Sequence, residues 1–176
     1  MANPTYVLIN SYTVTSGGTS SVTFSSIPAT YTDLVVKVSG RSANSNTQDY
    51  AYLQFNGSSG GTAYSDKRLE GTGSSAISEQ DTATDRIYFA YVLPGATATA
   101  NTFGNIELYI PNYAGSTNKS VSIDGVPENN TTGITYTTLT AGLWASTAAI
   151  TSLTIGAGNV GLVQYSTFYL YGIKNS

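Results

Sequence analysis

Any chemistry done by this chain must be done without the usual agents: its 176 residues include no His and no Cys. Those are the side chains that most often supply general bases, nucleophiles and metal ligands. Carboxylates remain. Asp66 with Glu70, and Asp81 with Asp85, are the pairs that could share acid and base work as in glycoside hydrolysis. All four fall in the polar stretch 58–85, where sparse acids are ordinarily solvated, so no catalytic residue is expected. Asp124 and Glu128 could begin a calcium site, but two carboxylates fall well short of the roughly six to eight oxygen donors such a site needs. Asp124-Gly125 is read instead as a turn. No metal site and no cofactor are expected.

The glycine spacing of Gly156-Ala157-Gly158-Asn159-Val160-Gly161 matches a dinucleotide-binding fingerprint and follows a predicted strand. The fingerprint works only if a helix comes next to hold the pyrophosphate, with an acidic residue about 20 positions on. Here the next segment has strand character and no Asp or Glu follows Glu128. The stretch is expected to be a hairpin loop.

Aromatic residues are the other candidates. The 14 Tyr and the single Trp could form a sugar-stacking surface, for which Tyr64, Tyr113 and Trp144 would have to lie on an exposed loop or groove. Most Tyr positions alternate within strands, as β propensity and cross-strand packing require. The last strand differs. Val163, Tyr165, Thr167, Tyr169 and Tyr171 share one face, opposite Gln164, Ser166, Phe168 and Leu170. Such a strand is either covered on both faces or turns its Tyr face to another subunit. The run 162–172 holds no charge and no proline, the devices that normally guard a β edge. Self-association through Tyr165, Tyr169 and Tyr171, or through the adjacent edge, is therefore expected.

The composition agrees with a surface that works by contact. Charged residues are 10% of the chain, against roughly 25% in ordinary domains. Ser (22) and Thr (26) carry the polarity instead. The net charge is −3 and Lys67-Arg68 is the only adjacent basic pair. A nucleic-acid partner needs clustered bases to displace counterions, so none is expected. The start of the chain has neither a basic nor an apolar leader segment, and no run approaches 18 apolar residues. Synthesis in a cytosol without a signal peptide, and no membrane partner, are the expectations.

The elements that must position these residues are strands. Apolar residues alternate at period two over 5–14, 34–41, 50–55, 106–110, 139–145 and 163–173, among others, punctuated by Asn56-Gly57, Pro94-Gly95 and Pro111-Asn112. The stretch 58–85 reads as a long excursion with one short strand near 64–69, and 148–150 as a short helical turn. The prediction is an all-β, single-domain β-sandwich of jelly-roll type spanning residues 1–176, with nine to ten antiparallel strands.

Several blocks resemble small virion proteins of tailed phages, especially those of marine and cyanobacterial hosts. They are Ser26-Ile27-Pro28-Ala29-Thr30-Tyr31-Thr32-Asp33-Leu34, Asn101-Thr102-Phe103-Gly104-Asn105 through Pro111-Asn112-Tyr113, Ala141-Gly142-Leu143-Trp144, and Leu170-Tyr171-Gly172-Ile173. The resemblance implies a structural protein located on the virion, on the capsid exterior or in a fibre, and brings no active site. It implies a capsid decoration or cement protein, docked as a homotrimer on the major capsid protein or other virion proteins. The alternative is a head-fibre or tail-fibre tip that recognises host polysaccharide.

Overall fold

The computed structural model describes residues 5–130, 136–158 and 160–174. Twelve strands follow one another: β1 (Tyr6–Thr13), β2 (Ser21–Phe24), β3 (Asp33–Gly40), β4 (Gln48–Phe55), β5 (Tyr64–Gly71), β6 (Ala76–Thr84), β7 (Ile87–Pro94), β8 (Gly104–Ile110), β9 (Lys119–Val126), β10 (Thr137–Trp144), β11 (Leu153–Ala157) and β12 (Thr167–Ile173). They form two antiparallel sheets, an eight-stranded one ordered β1-β12-β3-β8-β9-β10-β5-β6 and a four-stranded one ordered β2-β11-β4-β7.

Without β5, β6, β9 and β10, eight strands remain in two sheets of four. Their order is first-eighth-third-sixth and second-seventh-fourth-fifth, the topology of a jelly roll. The other four strands lengthen only one sheet. The larger sheet therefore overhangs the smaller, and β7 is the last strand of the smaller sheet to pack across β10 and β5.

Between the sheets the period-two alternation does what the sequence predicts. Leu34, Val36 and Val38 of β3 point inward onto a core shared with Leu53, Phe89 and Leu170, all essentially inaccessible to solvent. Burying an aliphatic or aromatic side chain of this size stabilises the fold by about 1.5–3 kcal/mol, which makes this interior the main source of stability. The turn expected at Asn56-Gly57 is present with both residues at positive φ (52° and 64°). The Asn56 side chain also ties the turn to the 149–152 segment, accepting from the backbone N–H groups of Thr151 and Ser152 and donating to the Ala149 carbonyl. Gly172 is required by a close approach, since a Cβ there would sit 2.2 Å from the Tyr31 ring.

Four local expectations need correction. The 58–85 stretch holds two strands, β5 and β6, paired as a hairpin around Thr72. β6 lies at the sheet edge with every residue exposed or half-buried, so it needs no apolar alternation and has none. Asp124-Gly125 is not a turn but part of β9, where the missing side chain of Gly125 lets Val92 of β7 pack close. The glycine-rich segment after β11 is no hairpin, because β11 and β12 belong to different sheets and the loop crosses between them; Asn159 lies outside the described residues. Residues 148–150 form no helical turn, and among the described residues there is no helix.

Tyr64 offers a direct check on this interior. Its ring is 2% exposed, and its hydroxyl accepts from the Phe55 N–H at 2.8 Å while lying 3.2 Å from the carbonyls of Phe55 and Ser58. Replacing Tyr64 by Phe leaves that N–H without a partner, so urea unfolding should show a loss of about 1–3 kcal/mol. A loss below about 0.5 kcal/mol would mean that the bond is not formed in solution.

Candidate functional site

Two surfaces stand out, at opposite ends of the eight-stranded sheet. The first is its outer face near β1. Cross-strand pairing sets Leu8, Tyr171, Val35 and Tyr109 in one row across β1, β12, β3 and β8. Tyr6 meets Tyr171 edge-on, with ring centroids 6.2 Å apart. Val35 is 1% exposed on a face otherwise open to solvent, between its neighbours Tyr171 and Tyr109. The next row holds Ser11, Tyr169, Lys37 and Glu107, where Lys37 and Glu107 pair at 2.6 Å. That pair is half exposed and contributes little to stability.

Tyr169 and Tyr171 thus share the outward face of β12, while Phe168 and Leu170 point into the core. Tyr165 is separate. It sits in the turn before β12, 67% exposed and with φ of 72°. β12 is not itself an edge, because β1 covers it along its length. The sheet ends at β1, whose free side pairs with no strand among the described residues. From Tyr6 to Thr13 this edge has no charge and no proline, and its one irregularity is the bulge between Leu8 and Asn10. At the far edge, β6 carries Glu79 and Asp81 and has its own bulge. One edge is guarded and the other is open.

The outer face is also apolar over β5 and β10, where Leu69 and Leu139 are cross-strand partners and both more than half exposed. Polarity on these two strands is inverted. Their inward positions carry Asp66, Arg68, Glu70, Thr138 and Thr140, all buried. This is the overhang beyond β7, and it is built around Arg68.

The Arg68 guanidinium donates to Asp66 at 2.7 Å, to Asp81 at 2.7 Å and to Glu79 at 3.0 Å, and its Nε lies 3.8 Å from Glu70. Asp66 and Asp81 face each other across the β5–β6 pair, so without Arg68 two carboxylates would repel there. The second oxygen of Asp66 accepts from the Tyr88 N–H at 3.0 Å, which joins the overhang to β7. Burial raises the pKa of Asp66 and of Glu70, and nearby Asp81 and Glu79 respectively raise them further. Burial opposes the charge on Arg68, yet the bonds to Asp81 and Glu79 outweigh it and raise its pKa. Arg68, Glu79 and Asp81 line a cleft of about 280 Å³ together with Tyr50, Tyr88, Ala90 and Tyr91.

The structure thus brings Asp66, Glu70 and Asp81 together around Arg68, whereas Asp85 is held apart by Arg86 at 2.6 Å. Among the described residues no acidic group is arranged to hold a metal ion. Asp124 lies on the outer face of β9, and Glu128 accepts from the Asn130 N–H.

The aromatics expected at a recognition surface are elsewhere. Tyr64, Tyr113 and Trp144 are at most 4% exposed. Trp144 stacks on Tyr64 at 6.3 Å and leans on Phe55 at 5.6 Å, while the Tyr113 hydroxyl donates to the Pro28 carbonyl. They are core residues, because the strands carrying Tyr64 and Trp144 turn those positions under the smaller sheet. Sequence reasoning misses Tyr50, Tyr88, Tyr91 and Arg68 as site residues. Part of their signal is in the chain: Tyr50 and Tyr88 alternate within strands as packing residues do, and they pack edge-on at 5.6 Å.

No family model and no curated protein matches the chain. Among solved structures, the binding domain of botulinum neurotoxin DC in complex with rat synaptotagmin II is similar at 15% identity and a TM-score of 0.26. The match covers 100% of this chain and 42% of that one, and likeness at that level carries no argument.

Glu70 provides a pH test of the overhang. Its side chain is 2% exposed and its folded pKa is raised above the ordinary 4.5 by burial. The folded protein therefore takes up this proton before the unfolded chain does, and Glu70 strengthens folding as pH falls through its folded pKa towards 4.5. Glu70→Gln should be at least as stable as wild type at pH 7, and its advantage should shrink as the pH is lowered to about 5. Urea midpoints at the two pH values read this out. A variant clearly weaker than wild type at pH 7 would show instead that Arg68 depends on the Glu70 charge.

Proposed function

We propose that this chain is a structural protein of a phage particle, a decoration protein that docks on the capsid from outside and assembles with copies of itself. What carries the reading is the open edge at β1 and the tyrosine-rich face beside it. An uncharged edge next to Tyr6, Leu8, Tyr169 and Tyr171 invites pairing with another chain, and a free monomer would normally guard it. Symmetric closure satisfies such an edge, because equivalent patches bury one another and none is left over. A trimer is the count that suits the local threefold positions of an icosahedral shell, and this part rests on the resemblance to tailed-phage virion proteins.

The exposed Leu69–Leu139 pair and the low overall charge support a second contact on the same outer face, to the shell itself. Binding to the assembled lattice and not to free subunits stabilises the lattice by mass action. The glycan-recognition alternative loses the residues that motivated it, since Tyr64, Tyr113 and Trp144 are in the core.

Two measurements test the proposal. Tyr169→Lys places a charge in the apolar face and should convert the oligomer to monomer while leaving the β circular dichroism signal unchanged. A wild type that already sediments as a monomer at micromolar concentration contradicts self-association. Quantitative mass spectrometry of particles should find hundreds of copies per virion; a handful would rule out decoration.

A further inference from the structure

The cleft at the other end of the sheet has a different character from the face just assigned. One Arg and four carboxylates leave the Arg68 cluster at −3, and the chain's other six bases and six acids cancel. The formal charge of the groups around this opening is thus −3, and the nearby Arg86, 5.9 Å over the Tyr88 ring, is offset by its pairing with Asp85. The walls of that opening are aromatic. Tyr50 and Tyr88 meet edge-on, and Tyr91 leans on Tyr136 with centroids 5.1 Å apart. Tyr91 reaches this position from a bulge in β7, with φ of 52°. Arg68 engages only Oδ2 of Asp81 and Oε2 of Glu79, and these two side chains are 40% and 54% exposed.

Deeper in, the hydrogen bonding is incomplete. On the same inward face of β5, Arg68 Nε and Glu70 Oε1 are buried without a hydrogen-bond partner, as is Thr140 Oγ1 on the facing position of β10. Arg68 Nε and Glu70 Oε1 lie 3.8 Å apart as an ion pair without a hydrogen bond, so what the cleft offers an incoming group is the exposed side of Asp81 and Glu79.

We infer that the cleft lined by Tyr50, Arg68, Glu79, Asp81, Tyr88 and Tyr91 is a socket for a cationic side chain, the ammonium of a lysine or the guanidinium of an arginine, presented by a partner protein. The free oxygens of Asp81 and Glu79 accept its N–H groups and the tyrosine rings receive its charge over their faces. Charge decides among ligand classes. An anion is repelled by a local charge of −3, and a neutral sugar gains nothing from it, whereas a cation is both steered and held. This socket is independent of the β1 assembly surface, which lies at the opposite end of the sheet, so either can fail without the other.

The test is a titration of the wild-type protein, with 13C-labelled tyrosine rings, using methylguanidinium and N-acetyl-lysine methylamide as probes. Galactose and acetate serve as neutral and anionic comparisons. Saturable shifts confined to Tyr50, Tyr88, Tyr91 and Tyr136, given by the cations alone, are the expected result. Asp81→Asn should weaken cation binding about fivefold, the loss expected for one partly exposed ion pair. Asp124→Asn removes the same charge from the outer face of β9 and should leave it unchanged. Cations that give no saturable shift, galactose moving the same rings, or equal weakening by both variants would each overturn the inference.

Discussion

A sheet of eight strands cannot be covered by a sheet of four, and the rest of this molecule follows from that mismatch. Where the two sheets oppose each other, alternate residues interdigitate and water is excluded. Beyond β7 the larger sheet has to satisfy its inner and outer faces without the smaller one, whereas at β1 Ile9 still packs on the shared core and only the strand's free side is open. The two ends differ accordingly. Over β5 the inward positions give up apolar side chains for Asp66, Arg68 and Glu70, and the acids of β6 close the circuit. Past β12 the sheet ends in an uncharged strand flanked by tyrosines.

The charged end is an uneasy arrangement. Moving ions out of water costs more than a pairing readily returns unless nearly every donor and acceptor is engaged. Arg68 has three good bonds, but its Nε and the opposed Glu70 oxygen have none. Burial correspondingly holds the Asp66 and Glu70 carboxyls above their ordinary range. A core of leucine would have been the simpler solution had stability been the only requirement. The bulges that place Ala83 in β6 and Tyr91 in β7 at positive φ lie on either side of the same region, and strained backbone of this kind persists where the surroundings fix it.

Much of the fold is legible in the chain because the covered strands obey one rule. β3, with Leu34, Val36 and Val38 inward against Lys37 and Ser39, has a core face that the alternation identifies, whereas β12 is apolar on both faces and only the structure assigns Phe168 and Leu170 to the core. The rule fails where the cover stops. β5 turns Tyr64, Asp66, Arg68 and Glu70 inward and Leu69 outward, so polarity points the wrong way. β10 does the same with Thr138 and Thr140 against Leu139 and Leu143. For the same reason Tyr64 and Trp144 can be placed on a face but not on the correct side of the sheet, and β6, with only Ile77 as a large apolar residue, leaves no periodic trace. On β12 the alternation groups Tyr169 and Tyr171 on one face but leaves open whether that face is covered, and it cannot show that β1 pairs outside β12 and moves the open edge there.

Completion of the eight-stranded sheet by another chain at β1, with the other edge left closed, is what the assembly proposal stands on. Residue-resolved amide hydrogen exchange, recorded from dilute to concentrated protein, addresses it most directly. If β1 takes a partner strand, amides of Tyr6–Thr13 that do not face β12 exchange rapidly in dilute solution and become protected as the protein concentrates, while those of Ala76–Thr84 are unaffected. Exchange from β1 that stays fast while sedimentation shows assembly, or protection that builds up at β6 instead, would contradict it.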